Sequence, residues 1–123
     1  MLKKTITYKD YNGATRTRDF YFNLNKLEVV RIEANTAGGL AERLRSVMEA
    51  QDTGAILAII EDLIQKSYGV KTPDGEGFMK RWEDLEAFMA TEAYSELFME
   101  LASDANKASE FFNGILPQDA VNK

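Results

Sequence analysis

The chain has 123 residues, 45% of them hydrophobic and 28% charged, which suits one domain with one modest core and argues against wholesale disorder. It contains neither cysteine nor histidine, so disulfides, thiolate chemistry, Cys/His zinc sites and imidazole-based catalysis are all excluded. The net charge of −5 disfavours nucleic acid as a bulk partner.

That charge is unevenly spread. Residues 1–31 carry seven Lys/Arg against three Asp/Glu, and residues 82–110 carry one Lys against eight Asp/Glu. Two solvated faces of one domain account for this. Complementary ends that steer self-association or a partner are the sharper alternative. No apolar run follows Lys3 and Lys4, which argues against a signal peptide, and the longest apolar run, residues 55–60, is far too short to span a membrane.

Two extended runs open the chain, residues 3–10 and 15–22, both rich in Thr, Tyr, Phe and Ile. Asn12-Gly13 suggests a two-residue hairpin loop, but that register would set Ile6 opposite Asp19. A three-residue loop, Tyr11-Asn12-Gly13, instead puts Leu2, Ile6, Tyr8, Phe20 and Phe22 on one face, and Thr5, Thr7, Asp19 and Tyr21 on the other. Gly13 then takes the left-handed bulge position. A lone hairpin is unstable, so helices must cover its apolar face.

Asn25 with Glu28 predicts a capping box for a short helix reaching about Glu33. Residues 34–39 break it. Leu40, Leu44, Val47 and Met48 then form a helical stripe. Asp52 or Thr53 caps the next helix, whose stripe is Ile56, Ile59, Ile60, Leu63 and Ile64, widened by Leu57; Gly69 stands where a glycine stop belongs.

Residues 71–77 read as a loop, with Pro73 and Gly75 at the second and fourth positions of a type I turn. Phe78-Met79-Lys80 predicts a short strand added to the hairpin. Trp82, Leu85, Phe88 and Met89 mark a further helix. Thr91 caps the following one, with Tyr94, Leu97, Phe98 and Leu101 facing inward. Ser103 or Asp104 starts the last, with Ala105, Ala108, Phe111 and Phe112 inward and Gly114 and Pro117 ending it. The fold class is therefore α+β: an N-terminal hairpin, with a third short strand near Phe78, packed on five or six helices. Residues 1–117 form the domain and 118–123 a loose tail.

Candidate chemistry is sparse. Glu61-Asp62 and Glu83-Asp84-Glu86 carry oxygen ligands for a divalent cation, but neighbours on a helix diverge, and solvated faces explain them better. Pro73-Asp74-Gly75-Glu76-Gly77 lacks both the alternating ligands of an EF-hand and the Lys-Ser/Thr of a P-loop. Lys3, Lys4, Lys9, Arg16 and Arg18 with Tyr8, Tyr11 and Tyr21 resemble a single-strand-binding surface, against the acidic balance of the whole. Phe78, Met79, Trp82, Phe88, Met89, Tyr94, Phe98 and Met99 concentrate adaptable apolar groups in one third of the chain. Most belong in the core; Met89 and Met99 lie off the main stripes. The candidate protein-binding residues are Met89, Met99, Phe78, Trp82, Arg16 and Arg18, with no catalytic, cofactor or metal residues.

The segment Thr91-Glu92-Ala93-Tyr94-Ser95-Glu96-Leu97-Phe98-Met99-Glu100-Leu101, followed by Ala102-Ser103-Asp104-Ala105 and closed by Phe111-Phe112-Asn113-Gly114-Ile115-Leu116-Pro117, resembles the C-terminal signature of tail assembly chaperones of long-tailed phages of Gram-positive bacteria. These serve in the role of protein G of phage lambda. Lys66-Ser67-Tyr68-Gly69, Pro73-Asp74-Gly75 and Phe78 resemble the family's central loop, and the 5–22 hairpin with Asn23-Leu24 its opening. The likeness blurs at Glu76-Gly77 and Arg81-Trp82-Glu83. The resemblance implies a non-enzymatic factor of the host cytoplasm, needing no cofactor, that binds the tape-measure protein, keeps it soluble while the tail tube polymerises, and is absent from the virion. A frameshifted longer form would recruit the major tail protein; self-association stays open. A structural tail-completion component is the runner-up, and a carboxylate-only hydrolase the third reading.

Overall fold

The computed structural model describes residues 1–117, so the expected tail at 118–123 lies outside the described residues. Strands β1 (Leu2–Lys9) and β2 (Thr15–Phe22) pair antiparallel, Leu2 opposite Phe22 and Lys9 opposite Thr15. This is the register of the three-residue loop, and Gly13 takes φ +84 as that loop requires. Thr5 Oγ1 donates to Asp19 at 2.6 Å, and the Thr7 and Thr17 hydroxyls meet at 2.9 Å on the outer face. Ile6, Tyr8, Phe20 and Phe22 are buried on the inner one.

Helix α1 (Lys26–Ala34) starts at Asn25 with the capping box in place: Asn25 accepts from the Glu28 amide, and Glu28 accepts from the Asn25 amide. Helices α2 (Leu40–Glu49) and α3 (Thr53–Ser67) follow, the latter capped by Asp52. In α2 Leu40 is buried and Leu44 and Val47 pack on the core, but Met48 is half exposed and leaves the expected stripe. In α3 Ile59, Leu63 and Ile64 are buried.

The chain then departs from expectation. Gly69 is no helix stop. Helix α3 passes at Tyr68 directly into strand β3 (Tyr68–Lys71), which pairs with β2, and β4 (Phe78–Met79) pairs with β3, giving the order β1-β2-β3-β4. The strand expected near Phe78 is present, but it pairs with β3 and not with the hairpin, and β3 itself is not predicted because Gly69 reads as punctuation. Its real role is steric: a Cβ there would lie 2.6 Å from the Phe78 ring and 2.9 Å from the Met79 carbonyl oxygen. The turn between β3 and β4 is as expected, with the Gly75 amide donating to the Thr72 carbonyl at 2.9 Å.

Helices α4 (Trp82–Met89), α5 (Glu92–Ser103) and α6 (Ala105–Ile115) complete the fold. Thr91 precedes α5 in extended conformation, yet its side chain makes no capping bond; the hydroxyl turns back and donates to the Phe88 carbonyl at 2.7 Å. Asp104 does cap α6, accepting from the Asn106 and Lys107 amides. Ala105 is exposed at the start of that helix, and α6 runs through Gly114, which packs against Leu2, to Ile115.

Phe22 sits at the centre of the core, fully buried, with the rings of Phe111, Tyr68 and Phe88 at 5.3, 5.8 and 5.9 Å. Tyr68 stacks on Phe88 at 4.4 Å, and Tyr94 meets Phe88 edge-on at 5.5 Å. Ala93, Leu97, Leu101, Phe111 and Ile115, all from the 91–117 signature, are buried in this same core. The signature is thus mainly a folding element.

Candidate protein-binding face

The six residues singled out from sequence are not brought together. Phe78 lies partly buried over Gly69, and Trp82, 60% exposed, borders a shallow recess with Tyr68, Lys80 and Leu85. Met89 is half-buried at the end of α4, and Met99 stands 60% exposed on α5. Arg16 and Arg18 border a different recess, with Tyr8, Tyr11 and Glu92. Arg16 pairs with Asp10 at 2.6 Å, and Arg18 lies 5.1 Å over the Phe20 ring.

The uneven charge is partly matched within the chain. Lys4 of the basic hairpin reaches Glu100 at 2.7 Å, with Lys107 at 3.5 Å from the same carboxylate, and the Tyr11 hydroxyl donates to Glu92 at 2.8 Å. Partial burial pushes the Glu100 carboxyl up, but Lys4 and Lys107 outweigh it and hold the group below its ordinary value. The Asp10 carboxyl is likewise lowered by Arg16 and by the Ala14 and Asn12 amides. Asp84 pairs with Arg81 at 2.9 Å and Asp62 with Lys66 at 2.9 Å; among the described residues no three acidic groups are gathered to hold a metal ion.

A larger and more apolar concave surface lies elsewhere. A groove of about 560 Å³ runs between α1, the start of α2 and the end of α6, lined mainly by Leu24, Val29, Val30, Leu40, Phe112 and Leu116. Such apolar concavity with few polar groups is what protein or ligand sites use. Helix α1 forms its wall and has no fully buried residue; Val29 and Ile32 pack against the core, while Val30 in the groove lining is 63% exposed and Leu27 on the same helix 56%. None of the six residues singled out from sequence lies on this face. The available signal was the placement of Leu27, Val29, Val30 and Ile32 around most of a nine-residue helix, which no single inward stripe can bury.

Two devices hold the wall in place. Gly38 and Gly39 adopt positive φ and turn the chain so that Glu33 can accept from the Leu40 amide at 3.2 Å, supplying α2 with the cap that Gly39 lacks. A Cβ on residue 39 would meet the Glu33 carboxylate at 2.6 Å. At the other end Lys80 donates to Glu28 at 2.8 Å, to the Asn23 carbonyl at 2.6 Å and to the Lys66 carbonyl at 2.8 Å.

Among the described residues no helix is long and apolar enough to cross a membrane. Comparison with curated proteins and with solved structures gives no match. The family profile described as phage tail assembly chaperone matches residues 1–123, the whole of the sequence. With an α+β fold to whose core the 91–117 signature contributes Ala93, Leu97, Leu101, Phe111 and Ile115, the chain belongs to the phage tail assembly chaperone family.

Proposed function

We propose that this protein binds the tape-measure protein of a long-tailed phage and keeps its apolar helices soluble while the tail tube polymerises. It acts without catalysis in the cytoplasm of a Gram-positive host, in the role of protein G of phage lambda, and is left out of the finished virion. A frameshifted longer form recruits the major tail protein.

The observation that carries this reading is the open groove walled by α1, with aliphatic side chains inside it and exposed on its rim. An amphipathic helix laid into such a groove buries its apolar stripe at successive turns. Many copies along one long helical protein turn weak contacts into strong retention. The exposed Trp82 and Met99, and the part-buried Phe78 and Met89, offer further apolar contacts at separate places on the surface, and Arg16 and Arg18 offer contacts for acidic stretches. The negative charge of the whole keeps the coated assembly dispersed.

Co-expression tests it. The tape-measure protein should move from the pellet to the soluble fraction with this chain and co-purify with it. Ala41→Asp places a charge in the groove at the start of α2, where an acidic residue suits the helix, and should abolish the rescue. A tape-measure protein that stays in the pellet overturns the reading, as does stoichiometric recovery of this chain from purified virions.

A further inference from the structure

The α1 segment Lys26-Leu27-Glu28-Val29-Val30-Arg31-Ile32-Glu33 has a mirror property. About its midpoint, between Val29 and Val30, each charge faces its opposite: Lys26 mirrors Glu33 and Glu28 mirrors Arg31. The apolar residues mirror apolar ones, Leu27 with Ile32 and Val29 with Val30. Lys26, Val29, Val30 and Glu33 stand at i, i+3, i+4 and i+7, one stripe of the helix, and all four line the groove. Lys26, Val30 and Glu33 are exposed.

We infer that α1 is a self-association face. Two copies pair antiparallel through α1, with a two-fold axis between Val29 and Val30. Exposed Val30 of each copy is covered by the other, and Lys26 of each meets Glu33 of the other. A two-fold contact must be self-complementary, and this stripe is so in both charge and apolarity. Charge selects the orientation: a parallel pairing would set Lys26 on Lys26 and Glu33 on Glu33. Apolar burial supplies the attraction, since exposed ion pairs contribute little. Because the same stripe lines the groove, and resting here on the chaperone reading, dimer and tape-measure-bound monomer exclude one another. The dimer is the form that shields the groove before cargo arrives.

Sedimentation equilibrium of the full chain should show a concentration-dependent dimer. Val30→Asp should be monomeric, with an unchanged far-UV spectrum because residue 30 is exposed. Lys26→Glu and Glu33→Lys should each weaken the dimer about tenfold or more. Mixing these two variants should restore it, since every cross-pair is then opposite in sign. A cysteine-free chain allows a second readout that leaves the Glu33 cap intact. Val30→Cys, beside the two-fold axis, should cross-link rapidly under mild oxidation. Lys26→Cys, about 10 Å from its own copy along the axis, should not. A wild type that stays monomeric at all concentrations, a Val30→Asp variant that still dimerises, or a Val30→Cys variant that cross-links no faster than Lys26→Cys would each overturn the proposal. Soluble tape-measure fragment should dissociate the dimer; a fragment that binds without doing so overturns the exclusion, whereas a fragment that never binds counts against the chaperone reading alone.

Discussion

The ammonium of Lys80 lies 2.8 Å from both carboxylate oxygens of Glu28, fifty-two residues away in the chain. It joins the end of β4 to the first turn of α1, a helix with no fully buried residue. The same nitrogen takes up the carbonyls of Asn23 and Lys66, so one cation closes the junction of β2, α1 and α3. Lys80→Met should therefore destabilise the protein by about 1–2 kcal/mol, the low end for a charge-assisted junction because the side chain is partly wet. Urea denaturation reads the loss; an unchanged midpoint would mean that α1 is held by other contacts.

Gly69 offers a sterically sharper test. The Phe78 ring can swing away from an added methyl, but the Met79 carbonyl at 2.9 Å belongs to the β3–β4 ladder and cannot move alone. Gly69→Ala should cost about 1–3 kcal/mol. Adding Phe78→Ala should recover only part of that loss. Full recovery would show that the ring, and not the backbone, sets the requirement.

The two helix starts in the signature segment should respond differently. Asp104 makes its capping bonds, so Asp104→Ala should cost about 1 kcal/mol. Thr91 makes none to α5, so Thr91→Ala should cost roughly half as much, through loss of its bond to the Phe88 carbonyl alone. Thermal melts of the two variants in one buffer compare them directly, and equal losses would contradict the observed Thr91 geometry.

Acid sensitivity follows from Glu100. Its carboxyl is held below the ordinary value of 4.5 in the folded protein, so the unfolded chain binds the proton more readily. The stability it contributes is present above that ordinary value and is lost as pH falls through the lower, folded value. Asp10 and Asp74, also lowered, add to the same loss below their ordinary value of 3.8. Glu100→Gln should flatten part of the decline in melting temperature between neutral pH and acid. An unchanged profile would mean that the Lys4 contact contributes nothing in solution.

How far the sequence reaches can be judged residue by residue. The hairpin register was legible because a strand has a period of two, and a three-residue loop, unlike a two-residue one, puts Ile6, Tyr8, Phe20 and Phe22 on the same side. The capping box at Asn25 and the turn at Pro73 were legible because each is closed by groups within a few residues of one another. Strand β3 was not, because Gly69 is there to let Phe78 and Met79 approach, and residues 69 and 78 meet only in the folded sheet. Thr91 misled for a related reason: its hydroxyl had a second acceptor within reach, and local spacing does not choose between the two.

Sequence alone thus determined what depends on period and short-range chemistry: the α+β class, the helices and most of their inward stripes (Met48 and Ala105 excepted), the lack of thiol and imidazole chemistry, and the resemblance carried by residues 91–117. Tertiary structure decided which apolar groups are left over once the core is full. Phe88, Leu97 and Phe111 went inside, while Leu27 and Val30, on the outer side of a helix whose Val29 and Ile32 pack against the core, remained exposed, Val30 in the lining of the groove. The physical reason is that burial is a competition among all apolar side chains for one limited interior. A pattern in one segment shows what that segment could bury, and only the assembled fold shows what it does.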